Sequence, residues 1–186
     1  GRIYTLNITP EDPAYAQYRP SLGAPACVGG ESPCIATSAL LQSRDSLATP
    51  EPNQPNTIDA CTDGTSGTYL TDESVENITA ESLNGSYFRQ GGTRRVNATF
   101  ACWNTVNHNL NWVYSNSTGT PGWSVKAFTD PCPTALPSFY QGSHTFTLDN
   151  RAGGHAVRII NQYNGNTATT CGGGAYDDND DLAFRV

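Results

Sequence analysis

The expected fold of this chain is decided by its last stretch, Tyr176-Asp177-Asp178-Asn179-Asp180-Asp181-Leu182-Ala183-Phe184-Arg185-Val186. Four of the five residues from 177 to 181 are aspartates. Leu182, Phe184 and Val186 then alternate with their neighbours, as the inward face of a β-strand does. If that strand begins at Asp180, its carboxylate shares this face. A buried carboxylate needs a cation or several hydrogen bonds, so the stretch predicts a calcium-type site beside a core strand.

The composition favours an all-β protein. The 186 residues include 18 Gly, 12 Pro and no Met, and they are rich in Thr, Ser and Asn, which suit strands and turns better than helices. The formal net charge is -7, and no basic run is longer than Arg94-Arg95, so nucleic acid is not expected as a partner. No apolar run approaches the roughly 18 residues of a membrane span. The sequence opens at Gly1 without a leader, which predicts a mature, secreted chain.

The six cysteines predict three disulfides in an oxidising compartment. They contain no C-x-x-C pair, which argues against a zinc ribbon or a thioredoxin-type centre. Sequence alone leaves fifteen pairings open. The pairing that we favour, in which the last bond ties two acidic loops together, is Cys27 with Cys34, Cys102 with Cys132, and Cys61 with Cys171.

Five N-x-S/T sequons support secretion and predict a glycoprotein if the source is eukaryotic. Their asparagines are Asn7, Asn77, Asn84, Asn97 and Asn116. Asn97 falls on the polar side of an alternating run, which would leave it facing solvent.

Short alternating segments separated by Asn, Gly and Pro turns predict a two-sheet antiparallel β-sandwich over residues 55–186. The clearest is Thr93–Trp103, whose inward side holds Val96, Ala98, Phe100 and Cys102. The other strands are predicted at Leu110–Tyr114, Trp123–Phe128, Thr145–Leu148, Ala156–Ile160 and Asp180–Val186.

Residues 1–54 are expected to form a strand followed by a Pro-rich extension. The strand is predicted at Ile3–Thr9, and eight of the twelve prolines follow between residues 10 and 55. Ala39–Leu47 could form a short helix. The remainder is interpreted as an extension laid on the surface, pinned by Cys27 and Cys34, with the domain boundary at residues 49–55.

The last 130 or so residues resemble an accessory domain found in secreted bacterial peptidases and other extracellular multidomain proteins. The matching segments, in order, are Pro55–Gly64, Tyr69, Asp72–Val75, Val96–Phe100, Ala156–Arg158, and Cys171 with Tyr176–Leu182. The resemblance implies a non-catalytic, jelly-roll-like β-sandwich that binds sugars or proteins and often holds a structural calcium. This chain departs from the pattern because it carries no peptidase domain.

Two acidic clusters are the candidate calcium ligands. Calcium takes six to eight oxygens from carboxylates and backbone carbonyls, and the late cluster lies next to Gly172-Gly173-Gly174, which could supply carbonyls. A solvated acidic turn beside an edge strand is the alternative. The candidates are Asp63, Asp72 and Glu73, with Asp59 nearby, and Asp177, Asp178, Asp180 and Asp181.

No catalytic motif is present in the sequence. His108, His144 and His155 have no metal-site spacing and are expected at the surface or in loops, and neither H-E-x-x-H nor G-x-S-x-G occurs. Two carboxylates at glycosidase separation remain an open alternative, so a small secreted glycoside hydrolase competes with a non-catalytic role.

Trp103 is the best single candidate for a ligand-binding aromatic. It continues the outward alternation of its strand, whereas Trp112 and Trp123 are expected in the core. The leading hypothesis is a secreted, calcium-stabilised glycoprotein with a binding or structural role at the cell surface or in the extracellular matrix, whose expected partner is a glycan or a protein. The alternative is a filament subunit, in which Ile3–Thr9 adds to a sheet of another copy by β-augmentation.

Overall fold

The computed structural model describes residues 14–42, 56–165 and 167–186. Within these ranges the chain has no helix, and its strands account for the regular structure. They are β1 (Ala14–Tyr15), β2 (Gln17–Arg19), β3 (Ala24–Cys27), β4 (Cys34–Ala36), β5 (Ser74–Ser82), β6 (Thr93–Ala101), β7 (His108–Ser115), β8 (Ser124–Thr129), β9 (Tyr140–Thr147), β10 (Gly154–Tyr163) and β11 (Asp178–Arg185). None of the described residues belongs to a helix long and apolar enough to cross a membrane.

The strands form two sheets, in the orders β1-β4-β5-β6-β9 and β2-β3-β11-β10-β7-β8. Most neighbours run antiparallel, but β1 is parallel to β4 and β3 is parallel to β11. The sheets are therefore mixed: both parallel pairs include a strand of the first 54 residues, whereas the pairs among β5 to β11 are antiparallel. Parallel neighbours need a crossover connection, and β3 and β11 come from opposite ends of the chain, which no local pattern reveals.

The first four strands are built into both sheets. β1 and β4 belong to the five-stranded sheet, and β2 and β3 to the six-stranded one. Ala24, Cys34 and Ala36 are fully buried, because their small side chains fit between closely packed strands. The description of residues 14–36 as a surface extension is therefore wrong. The strand Ile3–Thr9, Asn7 and the boundary at 49–55 lie outside the described residues and stay predictions.

The predicted helix at Ala39–Leu47 is a turn where the structure describes it. The Leu40 N–H donates to the Thr37 carbonyl at 2.8 Å, and Leu41 is buried in the core. Leu41 therefore attaches this segment to the core, and no helical repeat of apolar residues is needed for that contact. Residues 43–47 lie outside the described ranges.

One hydrophobic core contains side chains from both sheets. Val96, Ala98 and Phe100 of β6 face it from one side, and Leu182 and Phe184 of β11 face it from the other. Period-two alternation predicted these inward faces. The structure confirms them, because each of these side chains is at most 2% exposed. Burial of each large apolar side chain contributes about 1.5–3 kcal/mol. The core fixes the orientation of β11 and therefore of its aspartates.

Two histidines lie in the interior, contrary to the expectation of surface positions. His108 of β7 and His155 of β10 are both fully buried, while His144 of β9 is partly buried. β7 and β10 are neighbours in the six-stranded sheet, and every residue of β7 is buried. Because both faces of these strands are covered, polar side chains on them are buried as well.

The His155 ring is held by two hydrogen bonds of defined direction. Its Nδ1 lies 2.7 Å from the Tyr114 hydroxyl, and its Nε2 lies 2.9 Å from the Arg151 carbonyl. Since a carbonyl only accepts, Nε2 carries the proton and Nδ1 accepts from Tyr114. Burial lowers the pKa of His155 below its ordinary value of 6.5. The folded protein therefore favours the neutral ring.

This histidine predicts a loss of stability in mild acid. When folding lowers the pKa of a base, the neutral base contributes its full stabilisation at a pH above its pKa in the unfolded chain, which is near 6.5. That contribution is lost as the pH falls through the pKa of the base in the folded protein. We expect the melting temperature to fall between pH 7 and pH 5, with a flatter dependence in His155→Phe. Thermal melts of both proteins across this range check the prediction, and equal slopes would contradict it.

Candidate functional site

The aspartates of β11 are buried within the protein. Asp178, Asp180 and Asp181 are all fully buried, and Asp177, which precedes the strand, is 1% exposed. In the β10 register, Asp180 lies opposite Ile159 and Asp181 lies opposite Arg158. The alternative of a solvated acidic turn therefore does not describe them, and each buried carboxylate has to be compensated inside the fold.

Arg158 is the cation that faces Asp181. Its Nε lies 2.8 Å from Asp181 Oδ1 and its Nη2 lies 2.9 Å from Asp181 Oδ2, a two-point contact between two buried side chains. The same Nη2 donates to Asp59 Oδ1 at 2.6 Å. Such paired charge-assisted hydrogen bonds fix geometry as well as charge. Arg158 thus joins the last strand to the loop that contains Asp59.

The indole of Trp123 covers this ion pair. The Arg158 guanidinium lies 4.1 Å from the centre of the indole ring, and Trp123 Nε1 donates to Asp59 Oδ2 at 2.6 Å. Burial works to raise the pKa of Asp59, but hydrogen bonds from Arg158 and Trp123 outweigh it and hold the pKa below 3.8. Trp123 is half-buried and contacts both members of this ion pair. The prediction that it lies in the main core is therefore wrong.

Asp177 and Asp178 accept backbone N–H groups. Asp178 reaches across the core to the other sheet, where its Oδ2 accepts the Val75 N–H at 2.6 Å. Asp177 accepts from Tyr163 at 3.0 Å and from Gly174 at 2.8 Å. These bonds offset part of the cost of burial, because a buried polar group is costly chiefly when it lacks hydrogen-bond partners.

The Cys61–Cys171 disulfide holds the two acidic loops together. All three disulfides match the favoured pairing. Beside this one, Asp63 Oδ1 accepts the Asn179 N–H at 2.8 Å, and the Gly64 N–H donates to the Asp177 carbonyl at 2.7 Å. A side chain at Gly64 would lie 2.1 Å from the Ala175 carbonyl oxygen, so only glycine permits this approach. A cavity of about 490 Å³ lies between the loops.

The predicted calcium ligands do not converge as a cluster in the part of the chain that the structure describes. No group of three or more His, Cys, Asp or Glu side chains there is arranged to hold a metal. Asp181 contacts Arg158, and Asp178 accepts the Val75 N–H of β5. Asp72 accepts the Thr68 N–H at 2.9 Å in a separate turn. Calcium needs six to eight converging oxygens, and the hydrogen bonds observed here use the carboxylates separately.

The exposed tryptophan lies in a second, aromatic cavity. Trp103 is 53% exposed, as predicted from its outward alternation. Together with Tyr163, Tyr176, Asp72 and Glu73 it lines a cavity of about 220 Å³, which we call the Trp103 pocket. The Trp103 and Tyr163 rings are 6.0 Å apart at 65°, and the Tyr163 and Tyr176 rings are 5.5 Å apart at 75°. The aromatic walls are therefore steeply inclined to one another.

A buried acid and base support the floor of the Trp103 pocket. Glu73 Oε1 lies 3.1 Å from His108 Nε2, and the two side chains are at most 1% exposed. The His108 ring also contacts Tyr163, with centroids 5.5 Å apart. Tyr163 therefore packs against His108 of β7 as well as against the other aromatic rings of the pocket. Tyr163, the last residue of β10, is thus fixed against β7, while Trp103 and Tyr176 lie in the connecting segments.

The four sequons in the described ranges lie at accessible positions. Asn84 is exposed, and Asn77, Asn97 and Asn116 are half-buried. Asn97 lies between the core residues Val96 and Ala98, so it belongs to the outer face of its sheet. Its amide donates to Glu81 at 3.3 Å.

Sequence reasoning missed Arg158, Tyr163, Tyr176 and His108. Arg158 lies within the apolar run Ala156–Ile160, and a lone arginine inside a predicted buried strand was the available signal for a buried ion pair. Tyr163 and Tyr176 are 13 positions apart and meet through the turn before β11, so no local spacing marks them.

Comparison with known proteins adds no family to these observations. No protein-family model matches the chain, and no curated protein matches it either. The function is therefore argued from the two sites described above.

Proposed function

We propose that this chain is a secreted, non-catalytic binding module with a jelly-roll-like sandwich fold, whose ligand enters the Trp103 pocket. The observation that carries the proposal is the exposed Trp103 in a cavity with two tyrosines and two carboxylates. Cavities that combine aromatic walls with a few polar groups are typical ligand sites. Tryptophan and tyrosine are also enriched among the residues that contribute most to binding at interfaces.

Extracellular residence is supported by the three disulfides and by the sequons. Disulfides persist in oxidising compartments, and the bonds here close loops in both halves of the chain. A glycan or an extracellular protein is the expected partner. A role without catalysis is supported by the use of the acidic side chains Asp177, Asp178 and Asp181 in hydrogen bonds that maintain the fold.

Trp103→Ala is expected to weaken ligand binding by about 30-fold or more, because an aromatic side chain at the centre of a site contributes about 2 kcal/mol or more. Binding is measured by calorimetry against a panel of soluble glycans and alkylammonium salts. The matched control is Val106→Ala, which removes a side chain that is 74% exposed in the same loop. The proposal is wrong if no member of the panel binds, or if Trp103→Ala binds like the control.

Structural calcium is the second component of the proposal. What supports it is the density of carboxylates and the pairing of the two acidic loops by Cys61–Cys171. Since Asp63, Asp177 and Asp178 already accept protein hydrogen bonds, the metal is expected to add stability and not to be required for folding.

We expect the melting temperature to be higher in calcium than in a chelator. A metal that binds only the folded protein adds about 2.7 kcal/mol at a concentration of 100 times its Kd. Scanning calorimetry with CaCl₂, MgCl₂ and EDTA makes the comparison, with magnesium as the control for general screening of the charge of -7. Equal melting temperatures in all three solutions would remove calcium from the proposal.

A further inference from the structure

We propose that the Trp103 pocket is selective for an organic ammonium cation, in particular a methylated ammonium group. This inference rests on the proposed function and names the ligand class of the same pocket. Three aromatic rings and two carboxylates line the cavity, and none of its described lining residues is a lysine or an arginine. The angles of the rings, the charge of the pocket and its size favour such a ligand.

The ring geometry favours a compact group over a flat one. A pyranose ring stacks best on a flat aromatic surface, whereas the walls here are inclined at 65° and 75°. Rings at such angles form no continuous flat platform, so the pocket suits a compact group better than a flat one. An alkylated ammonium group is attracted to the negative faces of aromatic rings, with tryptophan as the strongest partner.

The charge of the pocket points to the same ligand. Asp72 is half-exposed, and its Oδ2 is held by the Thr68 N–H, so its carboxylate is fixed at the cavity. Glu73 lines the same cavity beside His108. The Asp72 carboxylate next to an aromatic wall would oppose an anionic ligand and attract a cation, and the net charge of -7 increases that attraction.

The volume of the pocket limits the ligand to one headgroup. About 220 Å³ is smaller than the roughly 300–1,000 Å³ of pockets for drug-sized molecules. The cavity therefore suits a terminal group on a longer molecule, and two sources supply such a group: the choline headgroup of a lipid or polymer, and a methylated lysine of a protein.

The test compares a cation with its uncharged counterpart. Choline and 3,3-dimethylbutan-1-ol have nearly the same shape, and only choline carries the charge. We expect choline and tetramethylammonium to bind in calorimetric titrations, and the alcohol to bind about tenfold more weakly or not at all. Methyl glucoside serves as the sugar probe. Phosphocholine and a trimethyllysine peptide distinguish the two sources, and a preference for either one supports the assignment.

Two variants test the parts of the pocket separately. Tyr176→Ala removes one wall, and Asp72→Asn removes the charge but keeps an oxygen for the Thr68 N–H. Each is expected to weaken choline binding about tenfold. Phe139→Ala, which removes an exposed ring outside the pocket, should bind like the unaltered protein. Far-UV circular dichroism confirms that each variant is folded.

The ammonium assignment is overturned if the alcohol binds as well as choline, or if folded Asp72→Asn keeps full affinity. It is also overturned if the sugar binds through Trp103 while no cation binds. That last outcome leaves the proposed binding function intact. Binding of no probe of either class overturns both proposals.

Discussion

Arg158→Ala is expected to destabilise the protein by about 3–5 kcal/mol, because it leaves a buried carboxylate without its cation. Asp181 is fully buried and receives two hydrogen bonds from this guanidinium. The same change frees Asp59 and removes the group on which the Trp123 indole stacks. Urea unfolding followed by circular dichroism gives the free energy of unfolding of each variant.

Arg185→Ala is the matched control, since this arginine lies on the same strand with an exposed side chain. It should change the free energy of unfolding by less than about 0.5 kcal/mol. The double variant Arg158→Met with Asp181→Leu should recover part of the loss, because it removes both charges together. If Arg158→Ala is as stable as the control, the ion pair does not hold β11 in place.

Loss of the Cys61–Cys171 disulfide is expected to lower the free energy of unfolding by about 5 kcal/mol. The bond joins residues 110 positions apart, and a long loop restricts the unfolded chain more than a short one. It also keeps Asp63 and Gly64 against residues 175–179. Replacement of both cysteines by serine, followed by the same unfolding assay, measures the effect.

The corresponding double replacement of Cys27 and Cys34 is the internal comparison. Those cysteines are 7 positions apart, for which the loop-entropy relation gives about 2.4 kcal/mol. The ratio of the two losses should therefore be about two. Equal losses from the two pairs would show that the long bond does not restrict the chain in the way argued here.

The fold was predictable where the chain signals its structure locally. Period-two alternation of large apolar residues located both β6 and β11, although the structure buries both faces of β11. The parallel pairs β1–β4 and β3–β11 were not predictable, because β1, β3 and β4 are short segments with no alternation. β3 reads Ala24-Pro25-Ala26-Cys27, and such small residues form a strand only because the neighbouring strands are already there.

The site was predictable in position and only partly in chemistry. The sequence showed that carboxylates beside a core strand need compensation. Carboxylates that bind an arginine look the same in sequence as carboxylates that bind calcium. The sequence therefore could not show whether Arg158 or a metal balances their charge. Trp103 was found from its alternation, whereas the tyrosines that complete its pocket depend on the turn that joins β10 to β11.

The central claim, that ligands enter the Trp103 pocket, is tested most directly by the indole N–H resonances. The chain has three tryptophans, so a ¹H–¹⁵N correlation spectrum shows one indole signal for each. During titration with choline and with the glycan panel, the account predicts that the Trp103 signal moves with the bound fraction. The chemical shifts of Trp112, which is buried, and of Trp123, which stacks on Arg158, should not change. Saturable binding that moves either of those signals and leaves Trp103 unchanged would contradict the account.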